Sequence, residues 1–212
     1  MEDELAWPLR GWEAVEAGML SVRVLRRFYS PVYPGVHIPR DAELSAAQRA
    51  RAAWLWSRRS GVPAGLSAAA ILGTKWIEPG LPAELIHANR RAPPMLIVHT
   101  DDVLSGETRC VDGMLVSSAA RTAFDVGRRL ELVAGVQRVD TLTNAVDVKV
   151  SDIESVAVAH PGVRGLKPSQ AKTSHTQLAW PSRTSSELTD PWISSTVMPT
   201  SRWSRHAPST SR

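Results

Sequence analysis

Arg23, Arg26 and Arg27 carry the most explicit chemical signal in this 212-residue sequence. A guanidinium presents a plane of N–H donors that suits phosphate oxygens and the edges of guanine bases. If the stretch is helical, Arg23 and Arg27 stand one turn apart on a shared face, with Arg26 beside them. An ordinary solvated basic face has the same spacing, and on spacing alone both readings stay open. Arg49, Arg51, Arg58 and Arg59 flank Trp54 and Trp56 and could extend a phosphate-facing surface. A core helix with arginines on its wet side accounts for them equally well.

A second constellation lies in DGMLVSSAARTAFDVGRR. Arg121 and Asp125 are four residues apart, so on a helix they pair across one turn, with Phe124 turned inward. A structural clamp is the simpler reading of this segment; a functional site is the alternative. Asp101 and Asp102 could offer carboxylates to a metal, but adjacent residues on a strand point to opposite faces, which favours a turn or solvated loop. Cys110 is the only cysteine and is expected to be a small packed residue. The six histidines are scattered, and the common nucleotide, zinc and hydrolase signatures are absent. No catalytic residue, metal site or cofactor is therefore expected.

The elements that must position these groups follow from caps and periodicity. Trp12–Ala17 reads as a helix stopped by Gly18, and Ser21 can cap a second, Val22–Arg27, with Val22 and Leu25 facing inward. Two short helices around a glycine turn give a helix-turn-helix outline, and FYSPVYPGVHIP then suits a hairpin or wing. Ser45 and Gln48 form a capping box for a helix from Ala46 to Arg59, ended by Gly61, Pro63 and Gly65. Ser67 can cap Ala68–Leu72, closed by Gly73. From Ala83 to Ser117 the pattern turns to strands, with Asp112-Gly113 marking a hairpin, which predicts a small mixed sheet. Ser118 can cap a helix to Arg129. Leu132, Val136, Val139 and Thr143 repeat at helical spacing, and Ser151 with Glu154 makes a last capping box before His160, Pro161 and Gly162.

Net charge does not locate a partner by itself. The formal charge is +4, yet through Leu166 there are 19 Lys and Arg against 19 Asp and Glu, so the excess lies in the last 46 residues. The stretch Met19–Arg59 is the local exception, with eight arginines against Asp41 and Glu43. Residues 167–212 hold 18 Ser and Thr, no Gly and no periodicity, and read as a disordered tail. No apolar run is long enough for a membrane helix and the N-terminus is acidic, so the expectation is a cytoplasmic protein without membrane contact.

Taken together, the helix-turn-helix with wing, AGLSAAAILGTKW, VDGMLVSSAARTAFDVGRRL and HPGVRGLK resemble the AbiEi-type antitoxin-like regulators of actinobacteria. The similarity is strongest to versions that carry a C-terminal very-short-patch-repair-like endonuclease domain, and it spans about Pro8 to Leu166. Its most specific part sets Gly113-x-x-Val116, Arg121-Thr122 and Asp125 against the family's Gly-x-x-Val-Thr, Arg-Thr and Asp pattern. Ser117 departs from it where relatives carry Thr, and the winged portion is short. The resemblance implies a winged helix-turn-helix at 8–44 that binds promoter DNA through Ser21, Arg23, Arg26 and Arg27. It also implies a middle α/β domain at 45–166 linked to antitoxin action in type IV toxin-antitoxin systems.

The expected fold class is thus α+β: an N-terminal winged helix-turn-helix, a middle domain with a small mixed sheet and helices, and the tail. One permitted back-translation of Trp180–Met198, read two bases later, gives AVTDEFGVDGSVDIEYGD, which resembles the opening strands of the endonuclease-like domain. A truncated or frameshifted family member is the corresponding expectation for 167–212, and the gene's nucleotide sequence tests it. The expected function is a non-enzymatic DNA-binding regulator acting on its own promoter, with a cognate toxin system as a possible partner. The alternatives are the targeting half of a degraded endonuclease-like protein and a protein-binding module without DNA contact.

Overall fold

The structure is a computed structural model that describes residues 7–165. The chain opens with β1 (Leu9–Arg10), α1 (Gly11–Glu16), α2 (Val22–Phe28), β2 (Tyr29–Tyr33) and β3 (Val36–Pro39). Gly18 ends the first helical stretch with a φ of +71°. The Ser21 hydroxyl then accepts the Val24 N–H at 3.2 Å and starts α2, as the sequence predicts. β2 and β3 form an antiparallel hairpin, and β1 pairs with the other side of β3, giving the order β1-β3-β2.

One expectation for α2 fails. Val22 is not turned inward but is 47% exposed, and Leu25 is the only residue of the helix shielded even in part. Leu25 rests against Gly11, where the ring of His37 also arrives: a Cβ at Gly11 would lie 2.9 Å from Leu25 Cδ2 and 2.6 Å from His37 Nδ1. The helix therefore docks through one side chain, and the turn that carries Val22 stays in water.

The middle of the chain supplies α3 (Ala46–Trp56), β4 (Val62–Pro63), α4 (Gly65–Ile71), β5 (Ala83–Ile86) and β6 (Leu96–His99). The Ser45–Gln48 capping box forms in both directions, at 3.2 and 2.9 Å. α3 stops at Trp56 rather than Arg59, because Arg58 and Arg59 turn into left-handed backbone at φ 57° and 67°. Ser67 does not cap α4. The helix begins two residues earlier, and the Glu84 carboxylate accepts the Leu66 N–H at 2.9 Å, while the Ser67 hydroxyl accepts the Glu84 N–H at 2.8 Å. A tertiary carboxylate on β5 has taken the place of the local serine cap.

The mixed sheet has the order β4-β5-β6, antiparallel between β4 and β5 and parallel between β5 and β6. β7 (Thr108–Val111) and β8 (Met114–Ser117) form the hairpin marked by Asp112-Gly113, whose φ values of 47° and 75° are those of a type I′ turn. Neither strand of this hairpin pairs with another described strand, so the strands of 83–117 make two sheets and not one.

Three helices follow: α5 (Ala119–Arg129), α6 (Leu132–Ala145) and α7 (Val150–Ala159). Ser118 caps α5 by accepting the Arg121 N–H at 3.3 Å. In α6 the buried side is Gly135 and Leu142; of the expected stripe Val139 packs against the second core cluster and Thr143 is half-buried, but Leu132 and Val136 are exposed. α7 starts before Ser151, with the Asp152 carboxylate accepting the Lys149 N–H at 3.3 Å in place of the predicted Ser151–Glu154 box.

A first core cluster packs Tyr33 and Val36 of the hairpin with Ala52 and Leu55 of α3, Leu85 of β5 and Val116 of β8. The line drawn between residues 44 and 45 thus runs across a shared core. A second cluster joins Leu72, Ala123 and Leu142. The expected disordered tail lies outside the described residues. Among the described residues no helix is long and apolar enough to cross a membrane.

Gly11→Ala should lower stability by about 1–3 kcal/mol, the usual penalty for overfilling a packed contact. Because the clash falls on Leu25 and His37, hydrogen exchange of the α2 amides should accelerate more than that of α5. Equal acceleration in both helices would contradict the single-residue docking of α2.

Candidate functional site

α2 turns its arginines directly away from the molecule. At 3.6 residues per turn, with Val22 as zero, Arg26, Arg23 and Arg27 fall at about 40°, 100° and 140° around the axis and Leu25 at about 300°. The direction opposite the docked Leu25 therefore passes between Arg23 and Arg27. Val22, Val24 and Phe28 flank this arc and are also exposed, and Val22 with the three arginines lines an open concavity. Among the described residues none of Arg23, Arg26 and Arg27 forms an ion pair, so their mutual repulsion at i,i+3 and i,i+4 is unrelieved. Arg27 lies over the Phe28 ring at 5.2 Å, a contact that fixes its direction without neutralising it.

Three other arginines of this region, Arg40, Arg49 and Arg59, have structural roles. Arg40 donates from Nε to the Arg27 carbonyl at 2.9 Å and from Nη2 to the Arg26 carbonyl at 3.0 Å. It closes the C-terminal end of α2, where a cation also complements the helix dipole. Arg59 makes a two-pronged pair with Glu13, whose carboxyl is held below its ordinary pKa first by that hydrogen bond, against the opposing effect of burial. Arg49 donates to the Pro79 carbonyl at 2.9 Å. The surface suggested by Arg49, Arg51, Arg58 and Arg59 is thus not a continuation of the α2 arc for two of its four members.

The residues of the middle motif occupy different environments. Gly113 supplies the left-handed turn of the β7–β8 hairpin, and Val116 is fully buried in the first core. Arg121, Thr122 and Asp125 lie on the buried face of α5 at 1%, 0% and 0% exposure. Arg121 donates from Nε to Asp125 at 3.0 Å, and from Nη1 to Glu107 at 2.5 Å and to the Asp102 carbonyl at 2.9 Å. His160 Nε2 lies 2.6 Å from the other oxygen of Glu107, and its ring stacks on Phe124. Thr122 donates to the Ser117 carbonyl at 3.3 Å.

The network continues through Asp125 to Arg128 and Arg129, from both of these to Asp101, and from Arg129 towards Glu84, which meets His99 at 2.8 Å. Three guanidiniums thereby face four carboxylates. Burial drives the Glu107 carboxyl upward, but the Leu104 N–H, His160 and Arg121 outweigh it and leave its pKa below the ordinary value. Asp101 behaves alike: burial raises it, and the charges of Arg128 and Arg129 bring it below normal. For Arg121, burial pulls down and Asp125 and Glu107 push up, with a net rise. These pairings hold the charged forms of Glu107, Asp101 and Arg121 in place.

The Asp101 carboxylate is part of this network, whereas Asp102 joins it only through its backbone carbonyl and its side chain is exposed; among the described residues no group of His, Cys, Asp and Glu has the arrangement of a metal site. Cys110 is exposed on β7 and not packed as expected, because its strand turns that face to solvent. One nucleophile–base pair does occur: Ser60 Oγ lies 3.1 Å from His87 Nε2. His87 Nδ1 accepts the Asn89 N–H, which leaves the ring proton of a neutral imidazole on Nε2, and Ser60 donates to the Ser57 carbonyl at 2.6 Å. In this arrangement the histidine donates to the serine, and the pair ties the α3–β4 turn to the end of β5.

Glu107, Glu84 and His160 were invisible to spacing arguments. Glu107 and His160 stand 14 and 39 residues from Arg121, and His160 was legible only as a helix stop. No protein-family model matches this chain, and no curated protein matches it either.

Glu107→Gln should destabilise the fold by about 3–5 kcal/mol, since it strips a buried guanidinium of a charge partner. Carboxyls whose pKa is lowered on folding, as those of Glu107 and Asp101 are, add stability that is fully present above the ordinary carboxylate range and drains as pH falls through and below it. Thermal unfolding of the wild type from pH 6 to pH 3 should show this loss, and Glu107→Gln should flatten it. An unchanged slope in the variant would show that Glu107 does not carry it.

Proposed function

We propose that this chain is a DNA-binding, antitoxin-like regulator in which α2 is the recognition element. The observation that carries the reading is the un-neutralised arginine arc of α2, aimed opposite its one docked side chain. Arg10, Arg40, Arg59, Arg121, Arg128 and Arg129 are paired or serve as caps, whereas Arg23, Arg26 and Arg27 stand together on one short helix, exposed and without an ion pair among the described residues. Such a surface is stabilised by phosphates and by guanine edges, with Val22 and Val24 of a size to meet thymine methyl groups.

The order α1, glycine turn, α2 and β2–β3 hairpin, with β1 completing the sheet, supports a winged helix-turn-helix in which Ser21 is the helix cap. The resemblance to AbiEi-type antitoxin-like regulators supports the same assignment, with the chain's own promoter as operator and a cognate toxin gene nearby. On this reading Arg121, Thr122 and Asp125 are scaffold, because all three are buried and internally bonded. A second reading, a protein-binding module, is favoured by the exposed Leu132, Val133 and Val136 at the start of α6.

Electrophoretic shift and fluorescence anisotropy on the promoter duplex at low salt decide between them. Arg23→Ala with Arg27→Ala should weaken binding by at least about tenfold and lower the slope of log K against log salt by about 2. The absence of any wild-type shift at low salt refutes the DNA reading and leaves the protein-binding one.

A further inference from the structure

Arg40 lies one residue beyond β3, yet its guanidinium sits on the last turn of α2. Its backbone N–H donates to the Phe28 carbonyl at 2.9 Å, and its side chain holds the carbonyls of Arg26 and Arg27. Both side-chain bonds come from the Nε–Nη2 edge. The two N–H donors of Nη1 and the second of Nη2 have no partner among the described residues, and Arg40 is exposed. Asp41, the adjacent acid, makes no ion pair with it among the described residues. A fourth guanidinium is therefore fixed at the C-terminal edge of the arginine arc, rigidly for a surface arginine, because two carbonyls restrain it.

We propose that Arg40 is a fourth phosphate contact of the α2 surface: one edge of its guanidinium fixes the end of the helix, and the free donors take a phosphate oxygen. This rests on the reading of α2 as a DNA-facing helix. The chemistry recognised is a phosphodiester and not a base, since a cation held at the helix end sets register without reading sequence. Restraining the guanidinium before binding also spares most of the side-chain entropy that a free surface arginine loses on contact.

Arg40→Lys and Arg40→Gln separate the two roles. Both lose the two-pronged hold on α2, so any effect of helix positioning is common to them, whereas only lysine keeps the charge. Binding of a fluorescein-labelled mixed-sequence DNA duplex is measured by anisotropy across a salt series, with thermal unfolding of each variant as the check on folding. The Gln variant should lose about 0.9 from the salt slope and the Lys variant little. The wild-type advantage over Gln should therefore shrink about threefold between about 50 and 200 mM salt. Equal slopes for wild type, Lys and Gln, whatever their affinities, would overturn the phosphate contact and leave Arg40 a helix cap only. No salt-dependent binding by the wild type would instead sink the reading of α2 on which the proposal rests, and the proposal with it.

Discussion

Taking a guanidinium out of water costs several kcal/mol unless both its charge and its N–H donors are met, and the interior of this protein is arranged around meeting them at Arg121. Its partners arrive from the loop after β6 through the Asp102 carbonyl, from the approach to β7 through Glu107, and from α5 itself through Asp125. Glu107 in turn is held by His160 at the end of α7, and Asp125 by Arg128 and Arg129. Displacing any one of these segments would remove a hydrogen bond or a charge partner from a buried group of this network. The ion pairs thus act on arrangement more than on net stability, since buried pairs often do little better than apolar groups of similar volume but are strongly unfavourable when broken.

The same network explains why Gly165, far along the chain, has to be glycine. Arg128 Nη1 donates to the Arg164 carbonyl, and a Cβ at Gly165 would sit 2.1 Å from the Arg128 carbonyl oxygen. The HPGVRG segment folds back along the end of α5 and needs both the positive φ of 94° and the absence of a side chain. The described structure therefore includes this segment as a working part of α5's packing.

What the sequence disclosed depended on range. The Ser45–Gln48 box, the Ser21 and Ser118 caps, the Asp112-Gly113 turn and the Arg121–Asp125 pair all act within four residues, and all were legible. Ser67 and the Ser151–Glu154 box misled because a local cap competes with other acceptors: Glu84 reached α4 from another strand, and Asp152 captured the start of α7. α6 misled for a different reason. It carries apolar residues on two sides, and the helix uses Gly135 and Leu142, where close approach to Gly127 is possible, rather than the bulkier Leu132–Val136 stripe. For the candidate site, the arginine spacing on α2 was legible, but its outward aim was not, since that depends on Leu25 meeting Gly11 and His37.

Charge on this protein is consequently divided into two populations that the bulk count conceals. Through Leu166 basic and acidic residues balance, but Glu84, Asp101, Glu107 and Asp125 are bound to their own arginines and histidines. Glu13 is likewise occupied by Arg10 and Arg59. Balance overall is thus compatible with a local excess of positive charge on α2, whose three arginines have no ion-pair partner among the described residues. Stability and surface potential accordingly depend on different arginines: Arg121, Arg128 and Arg129 hold the fold together, while Arg23, Arg26 and Arg27 repel one another at its edge. A helix docked by one leucine and closed by one arginine tolerates that repulsion because it has little packing to disturb, and an anionic partner is what would relieve it.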